Sequence, residues 1–273
     1  MEAQGVMAER HHVTSSGRED APALLFVHGF GCDQSVWRDV APPLARDFRC
    51  LLFDTMGAGR SDPSGWDPQR YSGLDAYAAD LLAICAELDL RDVTVVAHSI
   101  GAMMAAQAAI REPERFRQLI WLAPSPYLLD DPADDYHGGF AADDLPEVLR
   151  SLDTNYLAWA EAMAPVVMGV PERPELGERL TGMFCRNDPA MAAALARTSF
   201  TTDCRPLLPR LSTPTLILQC HEDAMAPLEV GDYLHRHLPA STLVPLRATG
   251  HCPHLSAPAE TVDVIRRHLA PAA

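Results

Sequence analysis

Six short, nearly continuous hydrophobic runs divide the chain at fairly regular intervals, and they are rich in β-branched or aromatic residues. The runs are Leu24–His28, Cys50–Asp54, Val93–His98, Leu119–Ala123, Thr215–Cys220 and Thr242–Leu246. Patterns with helical spacing separate most of them, at Gln34–Arg46, Gly73–Leu88, Gly101–Arg111, Leu228–Leu238 and Pro258–Leu269. Apolar strands that alternate with amphipathic helices are typical of a parallel sheet covered on both faces. The sequence therefore predicts an α/β fold.

The interval from Leu128 to Pro206 departs from this alternation. It contains no comparable strand run and is punctuated by prolines. Its helical periodicity predicts helices at Leu145–Leu152, Tyr156–Met163, Leu176–Phe184 and Ala190–Ser199. The simplest organisation is one domain, with a core of residues 1–127 and 207–273 and an inserted helical lid at residues 128–206.

Composition narrows the possible partners and reactions. The chain has 22 basic and 37 acidic residues, a net charge of −15, and every basic residue is arginine. This charge repels phosphate backbones and anionic lipid surfaces, so we expect neither nucleic acid nor a membrane as partner. The absence of lysine excludes lysine Schiff-base chemistry and a phosphate-binding P-loop. Together with the many alanines, it favours a bacterial source with a GC-rich genome.

The cysteines and the N-terminus favour a cytoplasmic protein. Seven cysteines are scattered without a C-x-x-C pair, which favours reduced thiols over a disulfide framework or a zinc knuckle. The N-terminus lacks the apolar run of a signal peptide. The apolar stretch 93–110 contains His98, Ser99 and Gln107, so we interpret it as a buried strand followed by a buried helix.

The strongest chemical signal is the segment Ala97-His98-Ser99-Ile100-Gly101. It follows a predicted strand and precedes a predicted helix, which is the context of a nucleophile elbow that exposes a serine hydroxyl. The positions two before and two after the serine must be small, which Ala97 and Gly101 satisfy. The N-terminus of the following helix also favours a negative charge that develops beside Ser99.

The segment His28-Gly29-Phe30-Gly31 follows another predicted strand. An oxyanion hole needs two convergent N–H donors, one from the residue after the nucleophile and one from such a loop. We therefore expect the backbone amides of Ile100 and Phe30 to form it. By itself, such a glycine-rich segment is more often an ordinary turn between a strand and a helix.

A base and a carboxylate follow later in the chain. Asp223 comes just after a predicted strand and His251 lies in the loop after the last one. A general base that works near neutral pH is typically an imidazole, and a carboxylate holds its tautomer. Glu222 is an alternative carboxylate, and His221 and His254 are alternative imidazoles.

These segments resemble the α/β hydrolases, specifically the bacterial RsbQ-type stress-regulator hydrolases and the related plant karrikin and strigolactone receptors. The matching stretches are residues 28–34 (HGFGCDQ), 36–37 (VW), 54–59 (DTMGAG), 98–102 (HSIGA), 124–126 (PSP), 138–140 (GGF), 218–220 (LQC) and 250–254 (GHCPH). They extend over nearly the whole chain. Ala97 departs from the glycine that is usual before the nucleophile.

The resemblance implies a specific site. It implies a triad of Ser99, His251 and Asp223, with Asp223 rather than Glu222 as the carboxylate, and an oxyanion hole from Phe30 and Ile100. It also implies a four-helix lid over a deep apolar pocket. The residues that match pocket positions are Phe30, Phe140, Trp159 and Phe200, and Leu128 stands at a pocket position where the plant karrikin receptors carry a tyrosine.

Three functions are compatible with these features. The first is a serine hydrolase for a small hydrophobic ester or lactone, which works through an acyl-enzyme and needs neither metal nor cofactor. The second is a sensor that binds or hydrolyses a small ligand and signals to a partner protein. The third is a C–C bond hydrolase that uses the same triad.

Overall fold

The computed structural model describes residues 5–270, which contain a seven-stranded sheet flanked by helices. The strands are β1 Thr14–Ser16, β2 Ala23–Val27, β3 Arg49–Leu52, β4 Val93–His98, β5 Phe116–Leu122, β6 Thr215–Glu222 and β7 Ser241–Thr249. Their order in the sheet is β1-β3-β2-β4-β5-β6-β7. All neighbouring pairs are parallel except β1 with β3, which is antiparallel. The predicted mostly parallel sheet is confirmed.

Helices cover the sheet and fill the interval between β5 and β6. Those outside this interval are α1 Val6–Arg10, α2 Ala41–Leu44, α3 Leu74–Glu87, α4 Ile100–Arg111, α9 Leu228–His237, α10 Pro253–Ser256 and α11 Pro258–Leu269. Those inside it are α5 Leu145–Thr154, α6 Tyr156–Met168, α7 Pro174–Phe184 and α8 Pro189–Thr201. We call this second group, with its connecting segments, the helical insertion. No helix among residues 5–270 is long and apolar enough to cross a membrane.

Two local predictions differ from the structure. A continuous helix over Gln34–Arg46 is wrong: Gln34–Trp37 forms a 3₁₀ turn, and α2 is a separate single turn. Pro42 and Pro43 lack the N–H groups that a continuous helix would need there. The sequence pattern also missed β1, because its three exposed polar residues pair through their main chain and carry no hydrophobic signal.

The middle of the sheet is the most buried part of the fold. All six residues of β4 are buried between β2 and β5. Parallel strands end at the same edge of a sheet, so the residues that directly follow β4 and β6 lie at one edge. By contrast, β7 is an outer strand of this sheet and is only partly buried, with Pro245 in its middle.

Candidate active site

Ser99 occupies a sharp turn between β4 and α4. Its backbone lies at φ 52° and ψ −126°, a strained conformation for a residue other than glycine, and its N–H donates to the Leu122 carbonyl. A Cβ at Gly101 would lie 2.7 Å from the His28 carbonyl oxygen, so only glycine fits this close approach. The turn therefore has the geometry of a nucleophile elbow.

The two expected oxyanion donors lie beside this turn. Ile100 is the first residue of α4, so its N–H has no acceptor within that helix. The Phe30 amide takes part in no hydrogen bond among the described residues. His28 fixes the Phe30 loop, because its Nε2 accepts from the Thr55 N–H at 3.0 Å and its Nδ1–H donates to the Gly29 carbonyl at 2.9 Å.

A hydrogen-bonded chain runs from Ser99 through His251 to Asp223. His251 Nε2 lies 2.7 Å from Ser99 Oγ, and His251 Nδ1 lies 2.8 Å from Asp223 Oδ2. The other carboxylate oxygen, Oδ1, accepts the main-chain N–H groups of Met225 and Ala226 at 2.8 and 3.1 Å. Because Asp223 is buried and held on both oxygens, it keeps His251 in the tautomer that presents Nε2 to the serine.

The alternative residues lie elsewhere. His221 and Glu222 are both exposed at the end of β6. His254 is fully buried, and its ring packs against Trp37 and His98 at centroid distances of 4.7 and 4.5 Å. Burial lowers the pKa of His254 to about 3, with further lowering by nearby His251, so this imidazole is neutral at physiological pH.

His98 connects the serine turn to residues 250–252, between β7 and α10, which we call the histidine loop. Its Nε2–H donates to the main-chain carbonyl of His251 at 2.8 Å. Burial, followed by the proximity of His254 and His251, holds the pKa of His98 well below its usual value. Sequence reasoning missed this role because the hydrogen bond joins positions 153 residues apart.

One group of potential metal ligands occurs among residues 5–270. Donor atoms of His98, Cys252 and His254 lie within 4.8 Å of one another, and all three side chains are buried. The group contains no carboxylate, burial raises the pKa of the Cys252 thiol well above its usual value, and His98 Nε2 already binds a carbonyl. Hard cations such as Mg²⁺ or Ca²⁺ prefer oxygen ligands and do not suit this set.

An apolar cavity lies directly over Ser99, between the sheet and the helical insertion. Four of the five expected pocket residues line it, namely Phe30, Leu128, Trp159 and Phe200. Phe140 is not among the lining residues, because its ring packs edge-on against Phe200 at a centroid distance of 5.3 Å. The remaining wall includes residues that the sequence did not single out: Met163, Val167, Leu180, Phe184 and Met225.

The wall of this cavity offers few free polar groups. Two further serines line it, but Ser125 donates its hydroxyl to the Tyr127 carbonyl and Ser199 donates to the Leu195 carbonyl. Ser99 is thus the lining serine whose hydroxyl faces an imidazole. The cavity can hold the apolar part of a small molecule, and the polar atoms of that molecule would lie at the Ser99 end.

Comparison with known proteins establishes the family. Residues 22–258 match the model of the alpha/beta hydrolase fold, so the chain belongs to the α/β-hydrolase family. It is 38% identical over 266 residues to a probable esterase of Oryza sativa subsp. japonica, covering 97% of each chain. A strigolactone esterase of Arabidopsis thaliana is 37% identical over 90% of this chain and 91% of its own length. The resemblance to the plant karrikin and strigolactone proteins is confirmed.

Solved structures agree with this assignment. A hydrolase from Oleispira antarctica superimposes with a TM-score of 0.93 at 36% identity, covering 96% of both chains. The enol-lactonase of Burkholderia xenovorans LB400 superimposes with a TM-score of 0.82 at 19% identity, covering 94% of this chain and 95% of its own, which shows the shared fold. The predicted α/β-hydrolase fold is confirmed, and relatives along nearly the whole chain are named esterases.

Proposed function

We propose that the protein is a serine hydrolase for small hydrophobic esters or lactones. The observation that carries this proposal is the continuous chain Ser99–His251–Asp223, with contacts of 2.7 and 2.8 Å, beneath an apolar cavity. Ser99 Oγ attacks the substrate carbonyl while His251 Nε2 takes the hydroxyl proton. Asp223 stabilises the resulting imidazolium through its hydrogen bond to Nδ1.

The remaining steps use the same groups in reverse. The Phe30 and Ile100 amides stabilise the negative oxygen of the tetrahedral intermediate. His251 then gives its proton to the departing alcohol oxygen as the C–O bond breaks, which leaves an acyl group on Ser99. A water molecule loses a proton to His251, attacks the acyl carbon and releases the acid, and His251 returns the proton to Ser99 Oγ.

The wall of the cavity supports the substrate class. Aromatic and thioether side chains surround Ser99, while the neighbouring Ser125 and Ser199 hydroxyls bind main-chain carbonyls. An acyl group with few polar atoms loses no hydrogen bonds when it enters such a site. The plant relatives named strigolactone esterases are consistent with small-molecule ester or lactone hydrolysis.

We further propose that residues 128–206 act as a lid over this site. The insertion contributes eight of the 17 residues that line the cavity, including Trp159 and Phe184. Its two ends are joined by the Cys204 N–H, which donates to the Pro126 carbonyl at 2.8 Å. The core would then comprise residues 1–127 and 207–273.

Covalent labelling tests the proposed chemistry directly. The wild-type protein should hydrolyse short p-nitrophenyl acyl esters and should react with a fluorophosphonate at Ser99, identified by peptide mass spectrometry. Ser99→Ala should lose both reactions, by several orders of magnitude in kcat/KM, because triad members act as a unit. Wild-type protein that neither turns over such esters nor labels at Ser99 contradicts the proposal.

A sensor function is the second candidate, and the names of several relatives favour it. The "Karrikin insensitive 2 receptor IA" of Petunia hybrida is 39% identical over 90% of this chain and 89% of its own length. A sensor that responds to ligand occupancy should retain a partner protein in Ser99→Ala, whereas one that responds to the acylated or hydrolysed species should lose it. Affinity capture with both forms, with and without ligand, distinguishes these two cases from hydrolysis alone.

A further inference from the structure

The main-chain groups of His251 are held by two different layers of the molecule. Its carbonyl accepts from His98 Nε2, which belongs to the end of β4. Its N–H donates to the Val167 carbonyl at 2.8 Å, in the last turn of α6 in the helical insertion. The last carbonyls of a helix have no partner within it, so the His251 amide supplies one. The histidine loop is thus part of the cap of α6.

Two glycines allow this close approach. Gly169 ends α6 at φ 64°, and a Cβ there would lie 2.7 Å from the Cα of Gly250. A Cβ at Gly250 would lie 1.8 Å from the Met168 carbonyl oxygen. The clashing atoms are all main chain, which cannot rotate away as a side chain can. The insertion and the histidine loop therefore fit together backbone against backbone.

A second tie lies just beyond this contact. Arg173 Nη1 donates to the Ser256 carbonyl at 2.9 Å, at the end of α10, which follows the histidine loop. Segment 167–173 of the insertion is consequently attached to segment 250–256 at two points. A displacement of α6 would be transmitted to the His251 backbone and through it to the imidazole.

We propose that Gly169 is a positioning residue for His251, so that the insertion sets the distance between the imidazole and Ser99. The identification of His251 as a base rests on the proposed function, whereas the coupling between insertion and imidazole does not. A side chain at position 169 would separate α6 from the histidine loop. The chemical step would then slow more than substrate binding weakens, because α6 supplies only Trp159, Met163 and Val167 of the cavity wall.

Gly169→Ala tests the coupling in the full-length protein. We expect kcat for a p-nitrophenyl ester to fall about 100-fold, which is the order of effect of a displacement near 1 Å, with a much smaller change in KM. Gly177→Ala in α7 is the matched control, because its Cβ meets only Pro165 atoms at 3.7–3.9 Å. Gly57→Ala is the control for strain, since Gly57 also has a positive φ, 85°, but lies in the loop after β3, where its Cβ would meet the Met191 side chain of α8 at 3.0 Å and not the histidine loop.

An NMR readout makes the test independent of turnover. The Nδ1 proton between His251 and Asp223 should give a far-downfield resonance that weakens or broadens in Gly169→Ala and persists in both controls. If the wild type has no esterase activity but this pattern holds, the coupling stands and the proposed function fails. If the wild type is active and Gly169→Ala matches Gly177→Ala in both kcat and NMR, the coupling is wrong.

A second variant covers the case in which Gly169→Ala does not fold. Arg173→Gln removes the guanidinium that donates to the Ser256 carbonyl, and it adds no side chain at the contact between Gly169 and Gly250. We expect a smaller decrease in kcat than for Gly169→Ala, with the same broadening of the His251 proton. A sharp, unshifted His251 resonance in folded Arg173→Gln, together with unchanged kcat, overturns the coupling.

Discussion

The sheet and the helical insertion are held in place by different interactions. Neighbouring strands are joined by main-chain hydrogen bonds, and β4 is buried along its whole length. The insertion packs apolar side chains against the core, and several of its polar ties are arginine side chains. Two of these reach the core, Arg179 to Asp39 at 2.7 Å and Arg186 to Asp33 at 2.7 Å, whereas Arg205 binds Asp131 within the insertion at 2.8 Å.

Because of this difference, the alignment of the reacting groups and the entry of substrate depend on different parts of the molecule. Ser99 and Asp223 follow β4 and β6, where the main chain fixes them with little freedom. The cavity wall belongs to the part whose ion pairs are partly exposed and therefore weakened by salt. The reacting groups can stay aligned while the wall opens for substrate. His251 is the exception, because its loop contacts both parts.

The largest expected effect tests the rigid part. Asp223→Asn should lower kcat/KM by about 10⁴-fold, because an amide at this position favours the wrong tautomer of His251. Glu222→Gln, one residue earlier on β6 and exposed, is the control and should leave kcat/KM unchanged. Steady-state kinetics on a p-nitrophenyl ester measures both. Equal losses in the two variants would mean that the carboxylate is misassigned.

The next effect tests the ion pairs that hold the two ends of the insertion together. The Arg205 side chain is only 11% exposed, binds Asp131, Asp134 and Asp203, and lies between two tyrosine rings. Arg205→Met should lower the free energy of unfolding by about 1–3 kcal/mol, since partly buried carboxylates lose their partner. Hydrogen exchange should quicken at residues 129–140 before it quickens in β4.

An exposed ion pair is the control for Arg205. Arg18 and Asp20 have exposed fractions of 75% and 70%, so Arg18→Met should leave the stability unchanged. Faster exchange throughout the sheet in Arg205→Met would show that the insertion and the core open together. That result would remove the distinction between the two regions.

The smallest effect concerns His254, which is buried next to the histidine loop. The pKa of His254 is about 3 in the folded protein against about 6.5 in an unfolded chain, so below pH 6.5 only the unfolded state takes up its proton. This removes up to about 1.4 kcal/mol of stability per pH unit as the pH falls towards 3. When the pH falls from 7 to 5, the free energy of unfolding of His254→Phe should therefore decrease by about 1–2 kcal/mol less than that of the wild type.

Urea denaturation at the two pH values measures this difference. His221→Phe replaces an exposed histidine near the end of β6 and should keep the pH dependence of the wild type. Neither nitrogen of His254 has a hydrogen-bond partner among the described residues, so phenylalanine costs no hydrogen bond there. An unchanged pH slope in His254→Phe would assign the acid sensitivity to other groups.

The sequence was most informative where burial and local geometry impose a pattern. β4 has the predicted bounds, and α11 begins and ends as predicted, because continuous burial and amphipathic spacing leave a clear signal. The spacing of residues left His221 and His254 open as alternatives to His251. Only the resemblance to known hydrolases selected His251, which is the imidazole that lies beside Ser99. The roles of Ser99, His251 and Asp223 stay predictions until they are tested.

Contacts made by the main chain were beyond sequence reasoning. The bond from the His251 N–H to the Val167 carbonyl depends on no side chain, and Gly169 had no distinguishing pattern. Phe140 was placed in the pocket by resemblance, yet Phe200 lines the cavity and the Phe140 ring packs behind it. Such differences of one packing layer depend on helix orientation, which hydrophobic spacing does not specify.

The outer strand β7 has a consequence for how the molecule behaves at high concentration. An outer strand with free main-chain groups can pair with the same strand of another molecule and start aggregation. Pro245, in the middle of β7, has no N–H to donate, and Arg247 adds a side chain that is 93% exposed. Two β7 strands brought together would therefore meet a missing donor at Pro245 and the exposed Arg247 side chains, whose main-chain N–H already donates to Glu260 at 3.0 Å. We therefore expect Pro245 and Arg247 to protect the colloidal stability of the protein, although their strand leads directly into the loop that carries His251.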